Sequence, residues 1–392
     1  MVLSDEPKEY ELTDSELSLL VDIVRDINLK QIKEKYALEI GRYIGAARVN
    51  IARSKEFEMY LIYLMCKFQL GTKIKIQPER ITKLLLNKKN KMEANKFNII
   101  FIGTDDFSII SLKKLLDLKY NIICIITSPG KSKIKQYSKN LNIPILQPNN
   151  LEDIDFINHI KEFNPDLQIV VSFKKLPEKL WSIPKYGTIN LHPSLLPDYR
   201  GAAPINWSII NGETITGVTT FFINNEIDKG QIILQEKTCL PFSSTYNDLL
   251  KTLGNLGSSL LIKSLDYIEN PPNHKYENSS NKLAPKLTSS NTKINWNNTV
   301  TNIYNFIRGL NSYPGAWTIL NNKIVKLYDI EMQQSNTNET IGTFISDNKT
   351  YLKVACIDGY INIKSIQMEG RKKLSIEKFL IGYKNINKYK FI

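Results

Sequence analysis

Cysteine and histidine are scarce in this chain, with four and three copies in 392 residues. Cys66, Cys124, Cys239 and Cys356 lie far apart, with no CxxC pair and no Cys/His ligand spacing. Neither a disulfide framework nor a zinc site is supported, so a reducing compartment and no metal are expected. No apolar run approaches the ~18 residues that would cross a bilayer. The acidic opening residues resemble neither a secretory signal nor an Arg-rich transit peptide, which makes a cytoplasmic protein without membrane contact the expectation. A dinucleotide fingerprint is also missing. FNIIFIG (97–103) ends in glycine, but the following GTDDF lacks the G-x-G-x-x-G spacing and places two acids where a pyrophosphate would lie.

The chain is too long for one ordinary core, so two or three domains are expected. Asn, Lys and Ile are abundant, which reads as genomic nucleotide bias and not as a prion-like signal. The net charge of +13 is unevenly placed: the excess is +4 over 1–91, +1 over 92–285 and +8 over 286–392. A basic tail behind a nearly neutral middle points to an acidic macromolecule, with nucleic acid the usual candidate and surplus lysine from the genomic bias the plain alternative.

Residues 14–70 carry apolar positions at helical steps and predict a helical extension, followed by the basic, linker-like KLLLNKKNKMEANK. From 97 the pattern becomes strand, helix, strand: FNIIFIG, then DFSIISLKKLLDL, then NIICIIT. Further strands are predicted at 167–173, at 187–192 and twice within 216–238, with helices at 151–163 and 245–268. That order predicts a doubly wound, Rossmann-like α/β domain over 92–285. Residues 269–291 have the Pro, Asn and Ser density of a linker, and 286–392 read as one helix plus short alternating strands that suit a small β-barrel.

One histidine stands in TINLHPSLLPDYRGAAP (188–204). Alternation along a strand puts Asn190 and His192 on the same face and Leu191 on the other. At the C-terminal end of a parallel strand this sets an amide beside an imidazole where open α/β sheets bind ligands. Taken alone, the pair also fits a histidine satisfied by backbone and an asparagine capping a turn. Asp228, two residues before Gly230, is by itself an ordinary turn acid.

NLHPSLLPDYRGAAPINW, followed by NGETITGVTTF and IDKG, resembles the 10-formyltetrahydrofolate-dependent formyltransferases, most closely the branch acting on methionyl-tRNA. The resemblance extends over about 92–392 through IIFIGTDDFS, IPILQP, APKLTSSNTKINWNN, IRGLNSYPGAW and SIQMEGRKKLSIEKFL; residues 1–91 fall outside it, and Met92 stands where the family's own start would fall. It implies an OB-like β-barrel as the tail domain and Asn190, His192 and Asp228 as the catalytic trio. In those roles Asn190 would hydrogen-bond the formyl oxygen, His192 would take the proton of the attacking amine, and Asp228 would orient the imidazole. It further implies folate contacts from Ser194, Leu195, Leu196 and Pro197, and from Phe173, Leu176 and Pro177. 10-Formyltetrahydrofolate is the expected donor and initiator methionyl-tRNA the expected acceptor of a monomeric enzyme. Lys131, Lys133 and Lys135, with Arg371, Lys372 and Lys373, are candidate tRNA contacts. Two readings stay open: an N-formyltransferase for a 4-amino-sugar nucleotide, favoured by the short 127–140 segment, and a catalytically dead RNA-binding homologue.

Overall fold

The computed structural model describes residues 97–392 apart from 272–279 and positions 281, 312, 337 and 384. The helical extension expected over 1–91 lies outside the described residues.

The strands form from short β-branched blocks that are apolar on both faces, as parallel strands covered by helices require. They begin with β1 (Ile99–Gly103), α1 (Asp106–Asp117), β2 (Ile122–Ile126), α2 (Lys133–Ser138), β3 (Ile145–Leu146), α3 (Ile154–Glu162) and β4 (Leu167–Val171). α4 (Glu178–Trp181), β5 (Thr188–His192), β6 (Arg200–Gly201), α5 (Pro204–Ile210), β7 (Ile215–Phe222), β8 (Ile232–Cys239) and α6 (Tyr246–Leu265) follow. The seven-stranded sheet runs β3-β2-β1-β4-β5-β7-β8. β1 to β5 are parallel, and β7 and β8 are added antiparallel. On one face Ile100, Ile102, Cys124 and Ile126 pack against Ile157 and Ile160 of α3 and Leu180 of α4. On the other, α1 and α6 lie against each other, and Gly257 of α6 leaves room for Leu191. The chain moves outward from β1 in opposite directions, to β2 on one side and to β4 on the other. That reversal opens a crevice at the C-terminal ends of β1, β4 and β5.

α1 and α6 start on side-chain caps. Asp105 accepts from the Ser108 amide at 3.1 Å while the Ser108 hydroxyl accepts from the Asp105 amide at 2.9 Å, a reciprocal box that fixes the turn between β1 and α1. Thr245 and Asp248 do the same for α6. Pro204 opens α5, where a missing N–H has no cost.

β9 (Leu283–Ala284) lies inside the segment read as a linker, and this is a correction. It pairs in parallel with β6, and the Ala284 carbonyl accepts from the Ala202 and Ala203 amides at 2.8 and 3.2 Å. Gly201 makes the approach possible, with φ at +121° and space for no side chain: a Cβ there would lie 2.4 Å from the Ala284 oxygen.

The tail contains α7 (Val300–Gly309), β10 (Ala316–Leu320), β11 (Lys323–Leu327), β12 (Ile330–Gln334), β13 (Phe344–Ser346), β14 (Leu352–Cys356), β15 (Gly359–Ile363), β16 (Ser365–Met368), β17 (Leu374–Ser375) and α8 (Ile376–Ile381). Two four-stranded antiparallel sheets, β10-β11-β16-β17 and β12-β15-β14-β13, share a core that includes Trp296, Ile303, Ile307, Val354, Ile361 and Phe391. α7 packs on α5, joined by Asn206 donating to the Gly309 carbonyl at 2.8 Å. Arg308, 3% exposed, donates to Ser244 O at 2.7 Å and Asn305 Oδ1 at 2.9 Å beside the rings of Phe242 and Tyr304. Among the described residues, no helix is long and apolar enough to cross a membrane.

Candidate active site

The crevice holds a cavity of about 600 Å³. Asn190, His192 and Asp228 all line it, so the structure brings the sequence-derived trio to one place. Asn190 and His192 leave β5 on the same face, as the period of two requires. Asp228 arrives from the turn between β7 and β8 in the left-handed region, φ +54°. That turn is held by Gly230, where a Cβ would fall 1.5 Å from the Phe222 carbonyl oxygen.

The three side chains are held unequally. His192 is 5% exposed, and its Nε2 lies 2.9 Å from the carbonyl oxygen of Tyr199. Its Nδ1 faces Asp228 Oδ2 across 3.9 Å, an ion-pair distance once the ring is protonated but too long for a hydrogen bond. Asp228 Oδ2 instead accepts from the Gly201 amide at 2.9 Å, and the Asp228 carbonyl accepts from Arg200 Nε at 2.9 Å. The imidazole's hydrogen-bond partner is thus the Tyr199 carbonyl, and the Asp228 carboxylate faces the other ring nitrogen from beyond hydrogen-bond distance. The Asn190 amide is half-buried, with no hydrogen-bond partner recorded among the described residues. It is available to a ligand.

Phe173 and Leu176 form an apolar wall with Ile223 and Ile227. Ser194, Leu195, Leu196, Pro197 and Pro177 fall outside the cavity lining. Thr219 and Gln235 explain the loop. The Leu196 amide donates to Thr219 Oγ1 at 3.1 Å, Thr219 donates to Ser194 O at 2.7 Å, and Gln235 Nε2 donates to Leu196 O at 2.7 Å. The loop is thus tied to β7 and β8, with the Leu196 side chain in a small core beside Phe221 and Ile232.

At the β1 end the lining is polar: Thr104, Asp105, Ser172 and Tyr246. Burial pushes the Asp105 carboxyl above the usual carboxylate range, against hydrogen bonds from Ser108 and Ser172. Burial also pushes the Tyr246 phenol up to about 12, helped by the charges of Asp105 and Asp106. In the sequence the two acids read only as an obstacle to phosphate; their place at the end of β1 is the signal that puts Asp105 at the crevice. Tyr246 and Tyr199 gave none.

The candidate tRNA contacts are all exposed, in two groups. Lys133 pairs with Asp106 and Lys135 donates to Gln147, which places α2 beside the Asp105 end of the cavity. Lys373 pairs with Asp329 at 2.8 Å and lies over the Tyr328 ring, near Arg371 and Lys372 in sequence.

Residues 97–265 match the family model described as formyl transferase, and 286–384 match that of the formyl transferase C-terminal domain. The methionyl-tRNA formyltransferase of Azobacteroides pseudotrichonymphae is 43% identical over 317 residues, 74% of this chain and 97% of that protein. The methionyl-tRNA formyltransferase of Parabacteroides distasonis is 38% identical over 321 residues, 76% of this chain and 99% of that protein. Among solved structures, HypX from Aquifex aeolicus in complex with tetrahydrofolic acid superposes with a TM-score of 0.53 at 18% identity, covering 73% of this chain and 47% of that one. The last likeness is one of fold.

Proposed function

Because the chain belongs to the formyltransferase family, we propose that it moves the formyl group of 10-formyltetrahydrofolate to the α-amino group of methionine on initiator methionyl-tRNA. The observation that carries the reaction is the convergence of the Asn190 amide, the His192 ring and the Asp228 carboxylate on one cavity. The choice of acceptor is supported by relatives of that name matched over nearly their whole length.

The folate supplies a formyl carbon bonded to N10, activated as an amide-like acyl donor. The wall of Phe173, Leu176, Ile223 and Ile227 suits a flat heteroaromatic group, and the neighbouring polar groups suit its hydrogen-bonding edge. Asn190 donates to the formyl oxygen as that oxygen gains negative charge, a role worth about 3–4 kcal/mol in other acyl-transfer sites. His192 removes a proton from the attacking amine, and Asp228 stabilises the resulting imidazolium at the 3.9 Å already set. As the new carbon–nitrogen bond forms and the bond to N10 breaks, His192 returns the proton to N10. The amine enters from the polar side lined by Thr104, Asp105 and Tyr246, beside which Lys131, Lys133 and Lys135 meet tRNA phosphates. Arg371, Lys372 and Lys373 provide the second phosphate contact on the tail domain.

The test is formyl transfer from 10-formyltetrahydrofolate to methionyl initiator tRNA and, separately, to a 4-amino-sugar nucleotide. Formylation of the tRNA alone is expected. Formylation of the sugar alone would overturn the acceptor, and RNA binding without transfer to any amine would overturn the enzyme reading.

A further inference from the structure

The orientation of His192 is decided outside the cavity. A carbonyl oxygen can only accept, so the 2.9 Å contact to Tyr199 O requires the proton on Nε2. The neutral ring then carries its lone pair on Nδ1, the nitrogen on the Asp228 side. A carboxylate bonded directly to Nδ1 would favour the opposite tautomer, but Asp228 Oδ2 is held by the Gly201 amide.

Tyr199 is an unusual residue to hold that carbonyl. Its φ is +60°, a region that a bulky side chain adopts only where surrounding contacts impose it. Those contacts are present. Its amide donates to the Lys282 carbonyl at 2.7 Å, and its ring is 4% exposed. Its phenol donates to Glu213 Oε1 at 2.5 Å and accepts from Asn211 Nδ2 at 3.1 Å. Lys282 Nζ donates to the same Glu213 oxygen at 2.7 Å and stands 3.9 Å from Asp198 Oδ2. Burial and the hydrogen bond to Glu213 push the phenol pKa up, so it remains a donor. Burial resists ionisation of Glu213, but hydrogen bonds from Lys282 and Tyr199 outweigh it and hold that carboxyl below its ordinary range.

We propose that Tyr199 is a positioning residue that locks His192 in its Nε2–H tautomer, leaving Nδ1 as the proton acceptor, and that Glu213 and Lys282 hold Tyr199 in place for it. Its catalytic consequence rests on the proton-carrying role given to His192 above, whereas the tautomer is measurable without turnover.

The experiment is nitrogen NMR of the full chain labelled with ¹⁵N-histidine. With three histidines in the sequence, the His192 signals are identified by their loss in His192→Asn. The neutral ring is expected in the Nε2–H form. Tyr199→Phe keeps the ring and removes the phenol's two hydrogen bonds; it is expected to give mixed tautomers and a roughly 10-fold fall in kcat, with KM for the folate within about two-fold. Glu213→Gln, which retains an acceptor for the phenol, is expected to keep the single tautomer. If Tyr199→Phe fails to fold, Glu213→Ala breaks the same phenol hydrogen bond from its acceptor side, at a less buried position, and carries the same expectation. An Nδ1–H ring in the wild type, or a folded Tyr199→Phe with unchanged tautomer and kcat, would overturn the proposal. Absence of formyl transfer to every amine would instead strike the functional reading and leave the tautomer result standing.

Discussion

Asp228 is hydrogen-bonded to the Gly201 amide at 2.9 Å and stands 3.9 Å from the imidazole it faces. On the mechanism proposed for His192, the carboxylate is already in place when the ring takes up a proton and needs no rearrangement. Asp228→Asn keeps an acceptor for Gly201 and removes only the charge. The expected result is a fall in kcat of about 10²–10³-fold with little change in thermal stability. Single-turnover formyl transfer and a melting curve on the same sample test it; a variant as fast as wild type would remove Asp228 from the mechanism.

Asn190 has no recorded protein partner among the described residues, so its amide contributes little to folding. Asn190→Ala is expected to lower kcat by about 10²–10³-fold and to shift stability by no more than about 0.5 kcal/mol. Folate affinity, read by equilibrium titration, should hold. A loss confined to folate binding would mean that the amide grips the donor and does not assist the reaction.

Two glycines separate steric need from backbone need. At Gly230 a methyl group would sit 1.5 Å from the Phe222 oxygen, whereas at Gly130, with φ +83°, it would meet nothing within 4 Å. Gly130→Ala is expected to cost about 1 kcal/mol, from backbone conformation alone. Gly230→Ala should cost more than about 4 kcal/mol or misplace Asp228. Urea melts of the two variants, compared directly, check the ordering.

Asp105 combines a cap with a buried charge. Its carboxyl is pushed up by burial, so the folded chain binds this proton more tightly than the unfolded chain. That contribution to stability is full below the unfolded pKa of about 3.9 and is lost as pH rises through the higher folded value. Asn caps a helix as well as Asp. Asp105→Asn should therefore melt higher than wild type at pH 7, with the gap closing toward pH 4. A gap that widens on acidification would contradict the sign.

Strand and helix order was legible because β1, β2 and β4 are dense apolar blocks and α1 and α6 carry the period of a covering helix. The shared face of Asn190 and His192 followed from alternation. Other parts left no mark in composition or period. β9 is two residues long, too short for a pattern, and it sits in a stretch whose Pro and Asn content reads as linker. The folate contacts expected of loop 194–197 came from the resemblance alone, and nothing local reveals that Thr219 and Gln235, on two later strands, tie that loop down. Tyr199 acts through its carbonyl, which every residue type possesses. Asp228 reached the trio through resemblance; its approach depends on a left-handed turn and the close passage of Gly230.

β9 also bears on where the protein can be divided. The match to the catalytic family model stops at residue 265, yet the carbonyls of Lys282, Ala284 and Pro285 accept from Tyr199, from Ala202 and Ala203, and from Trp207. A shortened chain ended at Leu265 would retain every residue of the trio and lose the strip that braces them from behind. The bonds that brace the trio from behind run on to Pro285, so the border drawn by the family model and the last of these bonds are twenty residues apart.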